Sequence, residues 1–154
     1  MTDPTAAGIA AAALAATAAP TEADTVSAMA QLADVAGHTS TVLFNYRRNN
    51  SDAPAGDAAL ARALNLEMTL DQRAIDLRVQ AVKLLGAQAA DALAQLKDAS
   101  QKVDDFLAGM KKLEGQLVIA SAVVGLAGAA LVGDAGGVLS AVAGVHTALK
   151  SAQA

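Results

Sequence analysis

The histidines are the residues in this chain best suited to acid–base or metal chemistry. There are two, His38 and His146, and they stand far apart in the sequence. The only carboxylate one helical turn from either of them is Asp34, which precedes His38. Structural zinc sites need four ligands and catalytic ones need three. We therefore interpret Asp34 and His38 as a surface contact and predict no metal site.

Other patterns that resemble catalytic motifs are also poor matches. Asp104 and Asp105 are adjacent, so on a helix they point to different sides and cannot act as a paired acid and base. Glycines at 125, 128 and 133 lie inside an apolar helical run, with no preceding strand and no following Lys-Ser or Lys-Thr, so they do not match a phosphate-binding loop. No serine nucleophile elbow is present. We predict a protein that is not an enzyme and has no cofactor.

The composition limits the possible partners. The net charge is -4, and the basic residues are scattered apart from two adjacent pairs, Arg47–Arg48 and Lys111–Lys112. Phosphate binding needs clustered Lys and Arg, so nucleic acid is an unsuitable partner. Alanine fills 41 of 154 positions and only three residues are aromatic, which predicts closely spaced helices with a thin core. Such a chain gains stability by packing against copies of itself or a homologous subunit.

Two features bear on the compartment. The chain contains no cysteine, so it has no disulfide framework or thiolate metal site. Its first residues, MTDPTAAGIAAAALAATAAPTEA, lack the basic region that opens a secretory signal. We expect a cytoplasmic location, with membrane association only on activation.

The C-terminal region, 114–154, is the most apolar part of the chain. Gly115 to Gly133 is a run of nineteen residues without a charge, long enough to span a membrane. The sequence GDAGG at 133–137 predicts a turn, with one helix ending near Val132 and a second beginning near Val138. We therefore predict a helical hairpin. It either lies buried in a helical core, or inserts into lipid or assembles with other copies, and the sequence leaves these alternatives open.

Within this hairpin, small residues recur at every fourth position. They are Ser121, Gly125, Ala129, Gly133, Gly137 and Ala141. On one helix such a row forms a smooth groove that lets a second backbone approach closely. The first five are predicted as interaction residues.

The region before the hairpin divides into an arm, a helix and a loop. Residues 1–20 form an Ala-rich arm with too little apolar surface to hold a helix alone. Acidic residues after Pro20 and an apolar stripe predict an amphipathic helix over 21–50. The loop at 51–57 contains Ser, Asp, Pro and Gly, which disfavour a continued helix.

A heptad pattern follows over 58–113. Its apolar positions are Met68, Ile75, Val82, Ala89, Leu96, Val103 and Met110. It predicts one long helix of about 55 residues, spanning roughly 80 Å. All of these positions except Ala89 are predicted to make interactions along the seam. Gly86 indicates a bend in this rod or the turn of a hairpin, and we favour the rod because no Pro, Asn or second Gly adjoins it.

The stretch SAMAQLADVAGHTSTVLFNYRRNN, at 27–50, resembles the core segment of the Reb proteins, the "killing trait" family that forms refractile bodies in bacteria. The matching positions are Ala28, Met29, His38, Thr39, Ser40, Leu43, Phe44 and Asn45. The Gln-rich run of that family is replaced here by RRNN at 47–50. The resemblance implies a cytoplasmic polymer, a coiled ribbon that extends to rupture a membrane.

Together these patterns predict an all-α protein with an amphipathic helix, a long heptad helix and an apolar small-residue hairpin. Its expected function is structural, as a subunit that self-assembles into a ribbon, filament or refractile-body-like polymer. The alternative is a membrane-active component, such as a pore-forming or toxin-complex subunit, whose hairpin enters lipid. A coat protein on a storage granule is a third option.

Overall fold

The computed structural model describes residues 20–52, 56–80, 82–109 and 112–153. These residues form five helices and no strand. The helices are α1 (Glu22–Asn49), α2 (Ala58–Val79), α3 (Ala89–Gly109), α4 (Leu113–Val132) and α5 (Ala135–Gln153). The predicted all-α fold is therefore confirmed. The arm predicted at 1–20 lies outside the described residues except for Pro20.

Polar side chains define where the helices begin. The Thr21 hydroxyl accepts a hydrogen bond from the Asp24 amide at the start of α1. At the start of α2, the Asp57 carboxylate accepts from the amides of Ala59 and Leu60. These caps satisfy amide groups that have no partner within the helix.

The five helices share one core. α1 packs against α2, α3 and α4, while α5 packs against α3 and α4. Every helix contributes side chains that are completely or almost completely buried, including Leu32, Leu43, Leu70, Leu96, Val103, Ile119, Val123, Leu126, Val138, Val142 and Val145. The C-terminal hairpin is thus packed into the bundle.

The prediction of a single helix over 58–113 is wrong, because the structure divides this region into α2 and α3. Between them Leu84 is buried in the core, and Gly86 has a φ of +123°, which a helix does not allow. The chain reverses here. α1 runs antiparallel to α2, as the contacts Arg47–Glu67 and Asp34–Arg78 show. It runs parallel to α3, as the contacts Gln31–Lys97 and His38–Asp104 show.

The reversal separates the heptad positions into two groups. Ala89, Leu96 and Val103 on α3 are buried, whereas Met68 and Ile75 on α2 are exposed. Val82 is half-buried, and Met110 lies outside the described residues. The buried face of α2 is formed instead by Ala63, Glu67, Leu70, Ala74 and Leu77. The heptad therefore does not form one continuous seam.

The hairpin turn is tighter than predicted. α4 ends at Val132 and α5 begins at Ala135, so only Gly133 and Asp134 connect them. Gly133 has a φ of 80° and closes α4 in the left-handed conformation typical of helix C-termini. The Asp134 carboxylate accepts a hydrogen bond from the Gly137 amide, which places Gly137 in the first turn of α5.

Candidate functional site

The residues with possible acid–base chemistry are dispersed over the bundle. His38 contacts Asp104 on α3, with 2.6 Å between Nδ1 and Oδ1, and both side chains are well exposed. Asp34, predicted to contact His38, instead pairs with Arg78 on α2 at 2.7 Å. His146 is half-buried on α5. In the described part of the chain no three His, Cys, Asp or Glu residues are grouped so that they could hold a metal ion.

A cleft of about 540 Å³ lies between the end of α1 and the start of α4. Lys112 and Glu114 are its only charged lining residues. This volume is within the range of ligand pockets, but a useful site also needs several converging polar groups. A single exposed amine and carboxylate do not make an acid–base pair of the kind that catalysis uses.

The outer face of α2 carries a row of large apolar side chains. We call this row, formed by Leu64, Met68, Ile75 and Val79, the α2 stripe. These side chains are 41%, 64%, 54% and 77% exposed, respectively. A helix at a protein surface normally has one apolar face and one polar face. α2 has apolar residues on both faces: one face is buried in the core, and the other carries the stripe.

A buried ion pair holds α2 in this orientation. Arg47 on α1 donates from Nε and Nη2 to the two carboxylate oxygens of Glu67, whose side chain is only 7% exposed. This hydrogen bond raises the pKa of Arg47 above its ordinary value, while burial opposes the shift. The Ser40 hydroxyl also donates to the Glu67 carbonyl oxygen. Rotating α2 to bury the stripe would break these contacts and leave a buried charge unpaired.

Phe44 is an exposed apolar side chain on α1, beside α2. Its ring is 47% exposed, and the Arg47 guanidinium lies 5.7 Å from the ring centre. Because Arg47 contacts both Phe44 and Glu67, the ring lies at the boundary between α1 and α2, at the level of Glu67. The exposed apolar surface therefore includes one of the three aromatic residues.

The predicted row of small residues does not remain one groove. Ser121, Gly125 and Ala129 lie on α4, whereas Gly133 is in the turn and Gly137 is on α5. Gly125 is exposed, and a Cβ atom added to it would meet nothing within 4 Å. The Ser121 hydroxyl accepts a hydrogen bond from Arg62 at 3.2 Å. The open part of the row is limited to the outer face of α4.

Gly133 has a different role, in a contact that the sequence did not suggest. The Leu85 amide donates to the Gly133 carbonyl oxygen at 2.7 Å, and the Ala135 amide donates to the Leu85 carbonyl oxygen at 2.9 Å. These two bonds join the 82–88 connection to the hairpin turn, and we call them the clasp. The clasp holds the tip of the hairpin against the bundle.

Two further predicted interaction residues, Leu96 and Val103, are part of the interior. Both are buried in the core of the monomer and are not available to a partner. Three exposed residues were missed as interaction candidates: Leu64, Val79 and Phe44. The spacing of the sequence contained a signal for Val79. Val79 follows Met68 by eleven positions, as Ile75 follows Leu64. Eleven residues make about three helical turns, so such residues lie on the same face of a helix.

No family model matches this chain, and no curated protein or solved structure matches it either. One helix among the described residues, α4, is long and apolar enough to cross a membrane, and half of its most apolar window is buried in the bundle. Core helices of soluble proteins often meet the same criterion, so this is weak evidence of a span. The α2 stripe is the more informative surface.

Proposed function

We propose that this protein is a non-enzymatic structural subunit that self-assembles into a helical polymer. The observation that carries the proposal is the α2 stripe, whose large apolar side chains face solvent although the opposite face of α2 is already packed. Exposed apolar rows of this kind mark interaction sites. A second copy of the chain offers the same apolar surface.

Magnitudes indicate that the stripe contributes substantially but needs support. Completing the burial of a half-exposed Leu, Ile, Val or Met stabilises by roughly 1 kcal/mol. Four such residues from each of two copies would supply roughly 8 kcal/mol, against an association cost of about 4–15 kcal/mol. Phe44 and a further contact surface are therefore needed for a stable assembly.

The outer face of α4 is our candidate for that further surface. Gly125 is open, and Val132 at the end of α4 is 80% exposed. Two separate contact surfaces on one subunit allow each copy to join two neighbours, which is the requirement for an extended polymer. The stripe and the α4 face together favour a ribbon or filament over a closed pair.

The resemblance of residues 27–50 to the Reb proteins favours a refractile-body-like assembly in the cytoplasm. In this structure that segment forms α1 from residue 27 to its end and the C-cap Asn50, and it supplies core residues such as Met29 and Thr39. The resembling segment would thus act through the stability of the subunit, and the exposed surfaces would act in assembly.

Analytical ultracentrifugation of a double variant tests the proposal. Met68→Lys combined with Ile75→Lys places two charges on the stripe, and we expect the assemblies to be lost while circular dichroism shows unchanged helicity. Gln95→Lys with Gln101→Lys is the matched control, because it makes the same change of charge at exposed positions of α3. Assemblies that survive in the stripe variant would contradict the proposal.

A second candidate function is membrane activity, favoured by the length and apolarity of α4. Insertion would require α4 and α5 to leave the core and the clasp to open. Flotation with phosphatidylcholine and phosphatidylglycerol vesicles measures this directly. Gly125→Leu should preserve or strengthen binding to lipid, because it raises hydrophobicity, but should weaken an assembly that needs close approach at α4.

A further inference from the structure

The α2 stripe has a symmetric spacing. Its residues are separated by four, seven and four positions, so the order of spacings is the same in both chain directions. At 100° per residue, the four side chains fall within an arc of about 60°, and the ridge they form is about 22 Å long. An antiparallel copy of α2 therefore presents the same ridge in the same register.

We propose that α2 pairs with α2 of a second copy, antiparallel, about a two-fold axis that passes between Asp71 and Gln72. This pairing rests on the proposed function and specifies its partner and geometry. Leu64 then faces Val79 of the partner subunit, and Met68 faces Ile75 of the partner subunit. A two-fold interface requires such reciprocal contacts, and the spacing of the stripe satisfies the requirement.

The symmetric spacing favours a second copy over a foreign helix, and the stripe is straight and already oriented on the monomer. Residues eleven positions apart keep the ridge almost parallel to the helix axis, so two copies make contact along their full length. The Arg47–Glu67 pair and the Ser40 hydrogen bond hold α2 from the inner side, so the ridge is already oriented. A preoriented surface loses little conformational entropy on binding.

The centre of the pairing limits its strength. Asp71 and Gln72 flank the ridge at its midpoint, and both are exposed. In an antiparallel pair the same flank of each helix meets at the axis, so Asp71 lies near Asp71 of the partner subunit. These like charges repel each other. Asp71→Asn should therefore tighten the dissociation constant of the pair by roughly fivefold at low salt, with a smaller gain at high salt.

Cross-linking tests the geometry without interference, because the chain contains no cysteine. Single cysteines are introduced at Gln72, Leu64 or Val79 and treated with a short bismaleimide. We expect Gln72→Cys to form a cross-linked homodimer, because residue 72 lies at the axis. Leu64→Cys alone should not cross-link, whereas Leu64→Cys mixed with Val79→Cys should. Gln95→Cys on α3 is the control for random collision.

The outcomes separate the pairing from the proposed function. Cross-linking of Leu64→Cys with itself would indicate a parallel pair and overturn the inference. No stripe cross-link in a protein that still sediments as an assembly would also overturn it, while leaving self-assembly through another surface. A chain that sediments as a monomer at all concentrations would overturn the proposed function itself. An unchanged dissociation constant in Asp71→Asn would contradict the axis position.

Discussion

The Lys83 carbonyl oxygen lies 2.5 Å from the position that a Cβ atom on Gly133 would occupy. No side chain fits in that space, and the φ of 80° at Gly133 also disfavours any residue with a Cβ. The connection between α2 and α3 thus passes directly over the hairpin turn. This close approach allows the clasp to form.

A first prediction follows for Gly133→Ala. The substitution requires both a strained backbone conformation and displacement of the Lys83 carbonyl group, so we expect it to lower the free energy of unfolding by about 2–4 kcal/mol. Thermal or urea unfolding followed by circular dichroism measures the change.

Gly125→Ala, within α4, is the matched control for Gly133→Ala. Gly125 is helical and an added Cβ meets nothing within 4 Å, so we expect the alanine to stabilise by about 0.5–1 kcal/mol. Equal effects of the two substitutions would contradict the distinct roles of these glycines.

The second prediction concerns the ion pair between Arg47 and Glu67. Arg47→Met leaves the buried Glu67 carboxylate without its partner, and we expect a loss of about 3–5 kcal/mol in the free energy of unfolding. The double variant Arg47→Met, Glu67→Leu should recover most of that loss. Chemical denaturation of both variants gives the coupling energy. A double variant no more stable than the single one would contradict this account.

The raised pKa of Arg47 sets the sign of a third prediction. A cationic group whose pKa is higher in the folded protein than in the unfolded chain stabilises the fold fully at pH values below its unfolded pKa. That stabilisation is lost only as the pH rises through the folded pKa. Because the arginine pKa is already strongly basic, we expect no loss of this contact between neutral pH and pH values of about 10. Urea midpoints compared for Arg47→Met and the unchanged chain across this interval should keep a constant difference. A difference between the two urea midpoints that narrows with rising pH would refute this prediction.

The fourth prediction concerns the N-terminal cap of α2. Asp57→Ala removes the acceptor for two amide groups, and we expect it to destabilise by about 1 kcal/mol. Asp57→Asn keeps an acceptor and should lose only a fraction of that amount. Thermal unfolding midpoints rank the two variants, and equal losses would show that the charge and not the cap matters.

The fifth prediction separates the stripe from the core. Met68→Lys with Ile75→Lys alters residues that contribute little to the monomer, so its free energy of unfolding should change by less than about 0.5 kcal/mol for each substitution. Leu70→Ala, on the buried face of the same helix, should cost about 2–5 kcal/mol. Denaturation at a protein concentration too low for assembly measures the stability of the monomer alone. Similar losses for both variants would mean that the stripe is part of the fold.

The sequence alone determined the helical class of the protein and the positions where most helices begin or end. These depend on local properties: alanine content, apolar periodicity, and residues such as Asp57 and Gly133 that cap or close a helix. A hairpin was also predicted, because a Gly-rich turn interrupts an otherwise uniform apolar run. Of the candidate site, Met68 and Ile75 were predicted as interaction residues, although as part of a seam that the fold does not make.

Only the tertiary structure decided which apolar row is buried and where the long heptad stops. Both rows of α2 are apolar, so periodicity could not choose between Leu70 with Leu77 and Met68 with Ile75. The Arg47–Glu67 pair and the burial of Leu84 made that choice. Likewise Gly86 interrupts the helix because Leu85 forms backbone hydrogen bonds with a turn almost fifty residues later in the sequence. Such long-range contacts depend on how the helices pack, which no local pattern encodes.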